Sequence, residues 1–158
     1  RWLQIDFSRT VQAHAEAQET EVGSAEVFAL FERTYLSSKG RWQLGNYQVS
    51  REDGVDKLQA QLQEGSTSHT LIGTGNGVVA AFVDAVQEFT GKHIVLVEYN
   101  EHALSQSADA EAICYIQLSV DGNRFCGVGL SPDIVQASLD GILCAVNQAA
   151  GQEREAVA

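Results

Sequence analysis

From residue 41 onward, the chain is written in short alternating segments separated by glycine turns and two longer amphipathic stretches. Trp42, Leu44, Tyr47 and Val49 predict a first strand, with Gly45 permitting a bulge where the alternation slips. Leu58, Ala60 and Leu62 interleave with Gln59, Gln61 and Gln63, the pattern of a strand with one dry and one wet face. Glu64-Gly65-Ser66-Thr67 supplies a turn, and Ser68 to Gly73 its return strand. From Gly77 to Phe89 the period changes: Val79, Phe82, Val83, Val86 and Phe89 fall on one helical face.

The same succession then repeats. His93 to Tyr99 predicts a strand, and Ala112, Cys114, Ile116, Leu118 and Val120 alternate along another. Asp121-Gly122 marks a two-residue hairpin, because glycine accepts the positive φ of such a turn. Arg124 to Gly129 returns, and a helix is expected from Pro132 to about Ala149, capped by Ser131. The predicted order is βββα followed by βββα, an α+β domain built by internal duplication. Gly73-Thr74-Gly75 pairs with Gly127-Val128-Gly129 at a spacing of 54, and Asp84-Ala85-Val86 with Asp140-Gly141-Ile142 at 56. A slightly longer second junction is therefore expected.

Upstream, Ser8 can cap a helix over Arg9 to Gln18, and Ser24 a second over Ala25 to Leu36. Val27, Phe28, Leu30, Phe31 and Tyr35 make a packing stripe on the second, and Ser37 to Gly40 breaks it. The expected organisation is a helical linker subdomain over 1–40, the duplicated domain over 41–150 and a C-terminal tail over 151–158.

Charge narrows the partners. Ten basic residues against 21 acidic ones give a formal net charge of −11, with no basic run. Nucleic acid and anionic membrane are excluded as natural partners, since phosphate affinity is dominated by Lys and Arg. No run approaches the roughly 20 apolar residues of a membrane-spanning helix. The chain starts without an initiator Met, so a processed or excised piece is expected. Cys114, Cys126 and Cys144 lack C-x-x-C spacing and read as reduced thiols of a cytoplasmic protein. His14, His69, His93 and His102 lack metal spacing, so no metal site is expected. Glu98, Glu101 and His102 could form an acid–base pair around Tyr99, but a polar strand end is the commoner meaning of such residues. No nucleophile constellation can be assembled, and the chain alone is not expected to be an enzyme.

The candidate chemistry sits at Gly73-Thr74-Gly75-Asn76-Gly77, which ends a strand and opens a helix. Free N–H groups there favour an anion such as a carboxylate. The G-x-G-x-G spacing is wrong for a dinucleotide fold, and no Lys-Ser or Lys-Thr follows as in a P-loop. A tight turn without a ligand remains as good a reading of these glycines. If the duplication is real, the junction from Gly127 to Ser131 lies near the first, and two helix starts converge on one zone.

These stretches together resemble a known family. Gly73 to Gly77 with Ala80-Ala81-Phe82-Val83-Asp84-Ala85, Tyr99-Asn100-Glu101-His102-Ala103-Leu104-Ser105, and Gly127-Val128-Gly129 with Asp133 to Ser138 and Ala145-Val146-Asn147 are similar to the C-terminal regulatory domain of 2-isopropylmalate synthases, in the style of their longer bacterial and fungal branch. Gln4 to Arg9 and Phe28 to Leu36 resemble the small subdomain before it. Val78 stands where relatives often carry proline.

The resemblance implies an allosteric domain that binds leucine at a homodimer interface for feedback inhibition of leucine biosynthesis. The parent chain would be a cytoplasmic acyltransferase whose catalytic barrel, with a divalent metal, condenses acetyl-CoA with 2-oxoisovalerate. The fragment itself would need no cofactor. The implied leucine pocket comprises Gly75, Asn76, Gly77, Val79 and Ala80 at the first junction, Tyr99, Ala103, Ala110 and Ala112 along a wall, and Gly129, Leu130 and Ser131 at the second junction. Alternatives are an isoleucine-sensing domain of a citramalate synthase, or a dimerisation module without ligand.

Overall fold

A computed structural model describes residues 40–103 and 111–157, with side chains through residue 152 except that of Ala103. Ala110 and the segments expected to be helical before Gly40 lie outside the described residues. The described chain runs β1 (Gln43–Glu52), β2 (Val55–Glu64), β3 (Thr67–Gly75), α1 (Val78–Thr90), β4 (Ile94–Ala103), β5 (Ala112–Val120), β6 (Asn123–Ser131) and α2 (Ile134–Val157). Two antiparallel three-stranded sheets, β1-β2-β3 and β4-β5-β6, each precede one helix. The βββα duplication read from the alternation is therefore the architecture.

Turn chemistry sets the hairpins. Asp121 and Gly122 both have positive φ, 50° and 88°, which matches the right-handed twist of the strands they join. Asp53 and Gly54, at 53° and 77°, make the same turn between β1 and β2, a signal the pattern of flanking residues had concealed. A shift of register between Leu44 and Tyr47 confirms the bulge expected at Gly45, and β4 has its counterpart between Leu96 and Glu98.

The repeat registers more simply than the glycine pairs suggested. β3 and β6, the tight turns before them, and the starts of α1 and α2 all correspond at a constant 56 residues. Gly73 therefore matches Gly129, Gly75 matches Ser131, and there is no longer second junction. The two G-x-G pairs stand two residues out of step because each serves its own helix. A Cβ on Gly73 would run into the Ala81 carbonyl oxygen, and one on Gly129 into that of Ala137. Gly75 is likewise pressed against α1, with the Ala81 nitrogen 2.7 Å from where its Cβ would be. Gly127 meets α2 one turn further on, at Gly141 and Ala145. The group these glycines let close is the helix backbone itself.

One apolar core joins both units. Leu58, Leu62 and Leu71 from the first sheet, Phe82 and Val86 from α1, Ile116 and Leu118 from the second sheet, and Leu139 and Ile142 from α2 are buried in a single cluster. At about 25 cal/mol per Å² of apolar surface, each such side chain contributes roughly 1.5–3 kcal/mol. Each helix also touches the first strand of the other unit, α2 against β1 and α1 against β4. Side-chain amides clasp these contacts: Trp42 N–H donates to Asn147 Oδ1 at 3.0 Å, Asn147 Nδ2 donates to the Trp42 carbonyl at 2.9 Å, and Ile94 N–H donates to Gln87 Oε1 at 3.0 Å.

α2 differs from expectation at both ends. It starts at Ile134, and its cap is Asp133; the Ser131 hydroxyl accepts the Asp133 N–H at 3.1 Å and shapes the turn before it. It runs to Val157, well past Ala149, because neither Gly141 nor Gly151 stops it. Gly141 is tolerated inside the helix because β6 and Ile116 pack on it too closely for a side chain.

Candidate functional site

The two helix starts, alike in position, differ in electrostatics. Gly77, at φ 116° and ψ 162°, caps α1 in a conformation that essentially only glycine adopts, and no side chain caps the helix. The first intrahelical bond is Ala81 N–H to the Gly77 carbonyl, so the amides of Val78, Val79 and Ala80 precede the hydrogen-bonded ladder. At α2 the Asp133 carboxylate occupies the equivalent place, accepting the Val135 N–H at 2.9 Å and the Gln136 N–H at 3.5 Å. Tyr47 donates to its other oxygen at 3.3 Å. The α2 start thus carries its own anion, and of the two starts α1 alone is left without a side-chain cap.

Around the α1 start, Asn76 and Ala80 are exposed while Gly75, Gly77 and Val79 are half-buried. Beneath them lies a residue that reasoning from the pattern passed over. Asp56, in register with Gly75 on the inner face of β2, is buried, and the Arg51 Nε is 3.9 Å from its carboxylate. The signal was available: an acid holds the dry phase of the alternation Asp56, Leu58, Ala60, Leu62.

The remaining expected residues gather in the second sheet. Cross-strand register makes rows of Tyr99, Ile116 and Gly127, of Glu101, Cys114 and Gly129, and of Ala103, Ala112 and Ser131. These rows share the face on which α2 lies. Leu130 does not; it pairs with Ile113 on the opposite face and packs with Val128 and Cys126. Only its backbone is available on the α2 side, because a strand alternates its side chains.

The Tyr99 hydroxyl donates to Glu101 Oε2 at 2.7 Å and lies 2.7 Å from Ser138 Oγ, which also bonds the Ile134 carbonyl at 2.9 Å. Burial, reinforced by Glu101, pushes the Tyr99 phenol up to about 12. Burial likewise raises the Cys114 thiol beneath it. Both groups stay protonated at neutral pH, so the cluster offers hydrogen bonds without nucleophilic chemistry. Glu98 bonds Asn100 Nδ2 at 3.0 Å, and His102 stacks edge-on to Tyr115, on the face away from Glu101. The acid–base pair around Tyr99 is not assembled. Among the described residues there is no cluster of three His, Cys, Asp or Glu able to hold a metal, and no helix is long and apolar enough to cross a membrane. No hydrogen bond between described residues links the α1 group to the Tyr99 group.

Comparison with known proteins places this geometry. Residues 21–150 match the family described as the LeuA allosteric (dimerisation) domain. Among curated relatives, the 2-isopropylmalate synthase of Kineococcus radiotolerans is 41% identical over 156 residues, covering 94% of this chain and 27% of that protein. Those of Thermobifida fusca and Leifsonia xyli are 39% and 38% identical, each covering 94% of this chain and 26% of theirs. The chain thus spans about a quarter of the length of the relatives it matches. With its duplicated βββα architecture and a family match across most of its length, the chain belongs to the LeuA allosteric (dimerisation) domain family.

Proposed function

We propose that the chain is the leucine-sensing regulatory part of a cytoplasmic 2-isopropylmalate synthase, and that it pairs with a second copy of itself. Catalysis, with its divalent metal, belongs to a barrel elsewhere in the parent chain, to which residues 1–40 form the helical linker. The observation that carries the sensing reading is the asymmetry of the helix starts. The α1 amides have no side-chain cap and suit a carboxylate, and the nearby Asp56 carboxylate suits an ammonium group. Together they match the two charged ends of an amino acid.

The side chain of the ligand would lie against Val79 and Ala80, with Tyr99, Ala103, Ala110 and Ala112 supplying the apolar wall and Gly129 and Ser131 its floor. The alanines there leave space for an isobutyl group, whose burial is worth on the order of 2 kcal/mol, while Gly129 is closed over by α2 and offers only its backbone. The wall residues and the α1 residues sit on different units of one chain, so a two-fold pair is the arrangement that brings them to one ligand. Leu130 contributes backbone alone. Regulation requires two states that leucine binds unequally.

The test is a pair of blocking substitutions in the full chain, Ala80→Trp and Ala112→Trp. Each should abolish the rise in melting temperature produced by saturating leucine; Ala80→Trp, at an exposed position, should leave the unliganded melting temperature within a few degrees, whereas Ala112→Trp, at a buried one, should lower it. A leucine response that survives both would remove the pocket from this zone.

A further inference from the structure

The two sheets, related by 56 residues, have been given opposite outer faces. In the first sheet the positions turned away from α1 read Lys57, Gln59, Thr70, Ile72 and Thr74, all exposed, with Ile72 at 49%. Their equivalents in the second sheet read Ile113, Tyr115, Cys126, Val128 and Leu130, buried or half-buried, with Val128 at 3%. These side chains form a separate apolar cluster on the face opposite α2. Both described helices lie on the inner faces, and of their side chains Cys144 of α2 alone packs against this cluster, from its border. In its midst Gln117, 5% exposed, has an amide nitrogen without a hydrogen-bond partner. A sheet face that has exchanged lysine, glutamine and threonine for isoleucine, valine and leucine is an interface by composition.

We propose that this face is the seat of the chain's own upstream segment, residues 25–36. Three observations select that occupant. The segment carries Val27, Phe28, Leu30, Phe31 and Tyr35 at helical spacing, the sequence pattern of an apolar packing face. A helix of twelve residues is about 18 Å long, within the span of a strand of β5 or β6. The described chain begins at Gly40 pressed against Asn147 of α2, and Cys144, one turn earlier on that helix, borders the outer-face cluster. The three residues between Leu36 and Gly40 give four Cα–Cα steps, a reach of at most about 14 Å, with which the chain can round the edge of β6. The unpaired Gln117 amide would then find an acceptor on the docked segment. β5 would carry Ala112 and Cys114 on one face and Ile113 and Tyr115, under the linker, on the other. Any rearrangement of the inner face is thereby one residue away from the segment that leads upstream.

The test is thiol labelling of the full 158-residue chain with a maleimide, rates being resolved by peptide mass spectrometry. Thr70→Cys, the first-sheet equivalent of Cys126, serves as the exposed ruler. Cys126 should label at least about tenfold more slowly than that ruler, and Phe28→Asp with Phe31→Asp should remove the difference while Cys114 on the inner face stays slow. If the aspartates also release Cys114, the gentler Phe28→Ala and Leu30→Ala read the same ratio in a folded chain. An unchanged Cys126 rate when the stripe is altered overturns the proposal. So does a Cys126 rate in the unaltered chain that falls with protein concentration, because a second copy would then be the cover.

Discussion

Asn147 is the side chain on which the joining of the two units depends most directly, and its replacement is the sharpest stability test. Its amide satisfies both backbone groups of Trp42 across 105 residues of sequence, at 3.0 and 2.9 Å. Asn147→Leu keeps the branched outline of the side chain, in a bulkier form, and leaves a partly buried N–H and C=O without partners. Each unsatisfied group costs about 1–3 kcal/mol, less where water can reach it, so about 2–4 kcal/mol is expected for the pair. Asn147→Asp keeps the acceptor and loses the donor, and should cost roughly half as much at neutral pH. Urea unfolding followed by tryptophan fluorescence is a suitable assay, because Trp42 packs edge-on to Phe89 with ring centroids 5.7 Å apart. With a slope of about 2 kcal/mol per molar, the midpoint should fall by roughly 1–2 M for Asn147→Leu with the slope unchanged. A midpoint within 0.2 M of the unaltered chain would show that the clasp is incidental and that apolar contact alone joins the units.

Other outcomes follow from the same geometry. Asp133→Ala should destabilise α2 by about 1 kcal/mol in thermal unfolding, since it removes the cap from two amides. Gly77→Ala should cost about 1–3 kcal/mol because of its φ of 116°, although the space around it is open. Asp56→Asn should weaken leucine binding at least about tenfold by calorimetry if its charge holds the ammonium group, and change it little if Asp56 only pairs with Arg51. The Arg41 and His69 hydrogen bonds hold the Glu64 carboxyl below its usual range. A depressed carboxyl contributes stability above its unfolded value and loses it as pH falls through the folded one. Glu64→Gln should therefore lower the stability plateau above about pH 4.5 and flatten the fall on its acid side, so that the two profiles converge at low pH.

Much of this fold could be read from alternation alone. The dry phases of β2 and β5 and the apolar stripe of α1 fall where the pattern placed them, because binary patterning is local and burial enforces it. What the pattern misjudged were matters of packing in space. The G-x-G pairs looked like matching ligand loops, yet each glycine answers to its own helix, and the repeat runs two residues out of step with them. Ser131 looked like the cap because it precedes Pro132, whereas Asp133 lies nearer the amides and is charged. Leu130 enters the expected pocket through the family resemblance, and strand alternation turns its side chain to the face opposite α2, which the pattern alone did not show. Asp56 escaped notice because a single acid in a dry phase resembles noise until its position beside Gly75 is known.

Calorimetric titration of the folded chain with leucine, isoleucine and valine tests the central claim most directly. Saturable binding strongest for leucine, at one equivalent per chain or fewer, is expected, together with its loss in Ala80→Trp. No heat from any of the three with a folded, paired chain, or a clear preference for isoleucine, would contradict it.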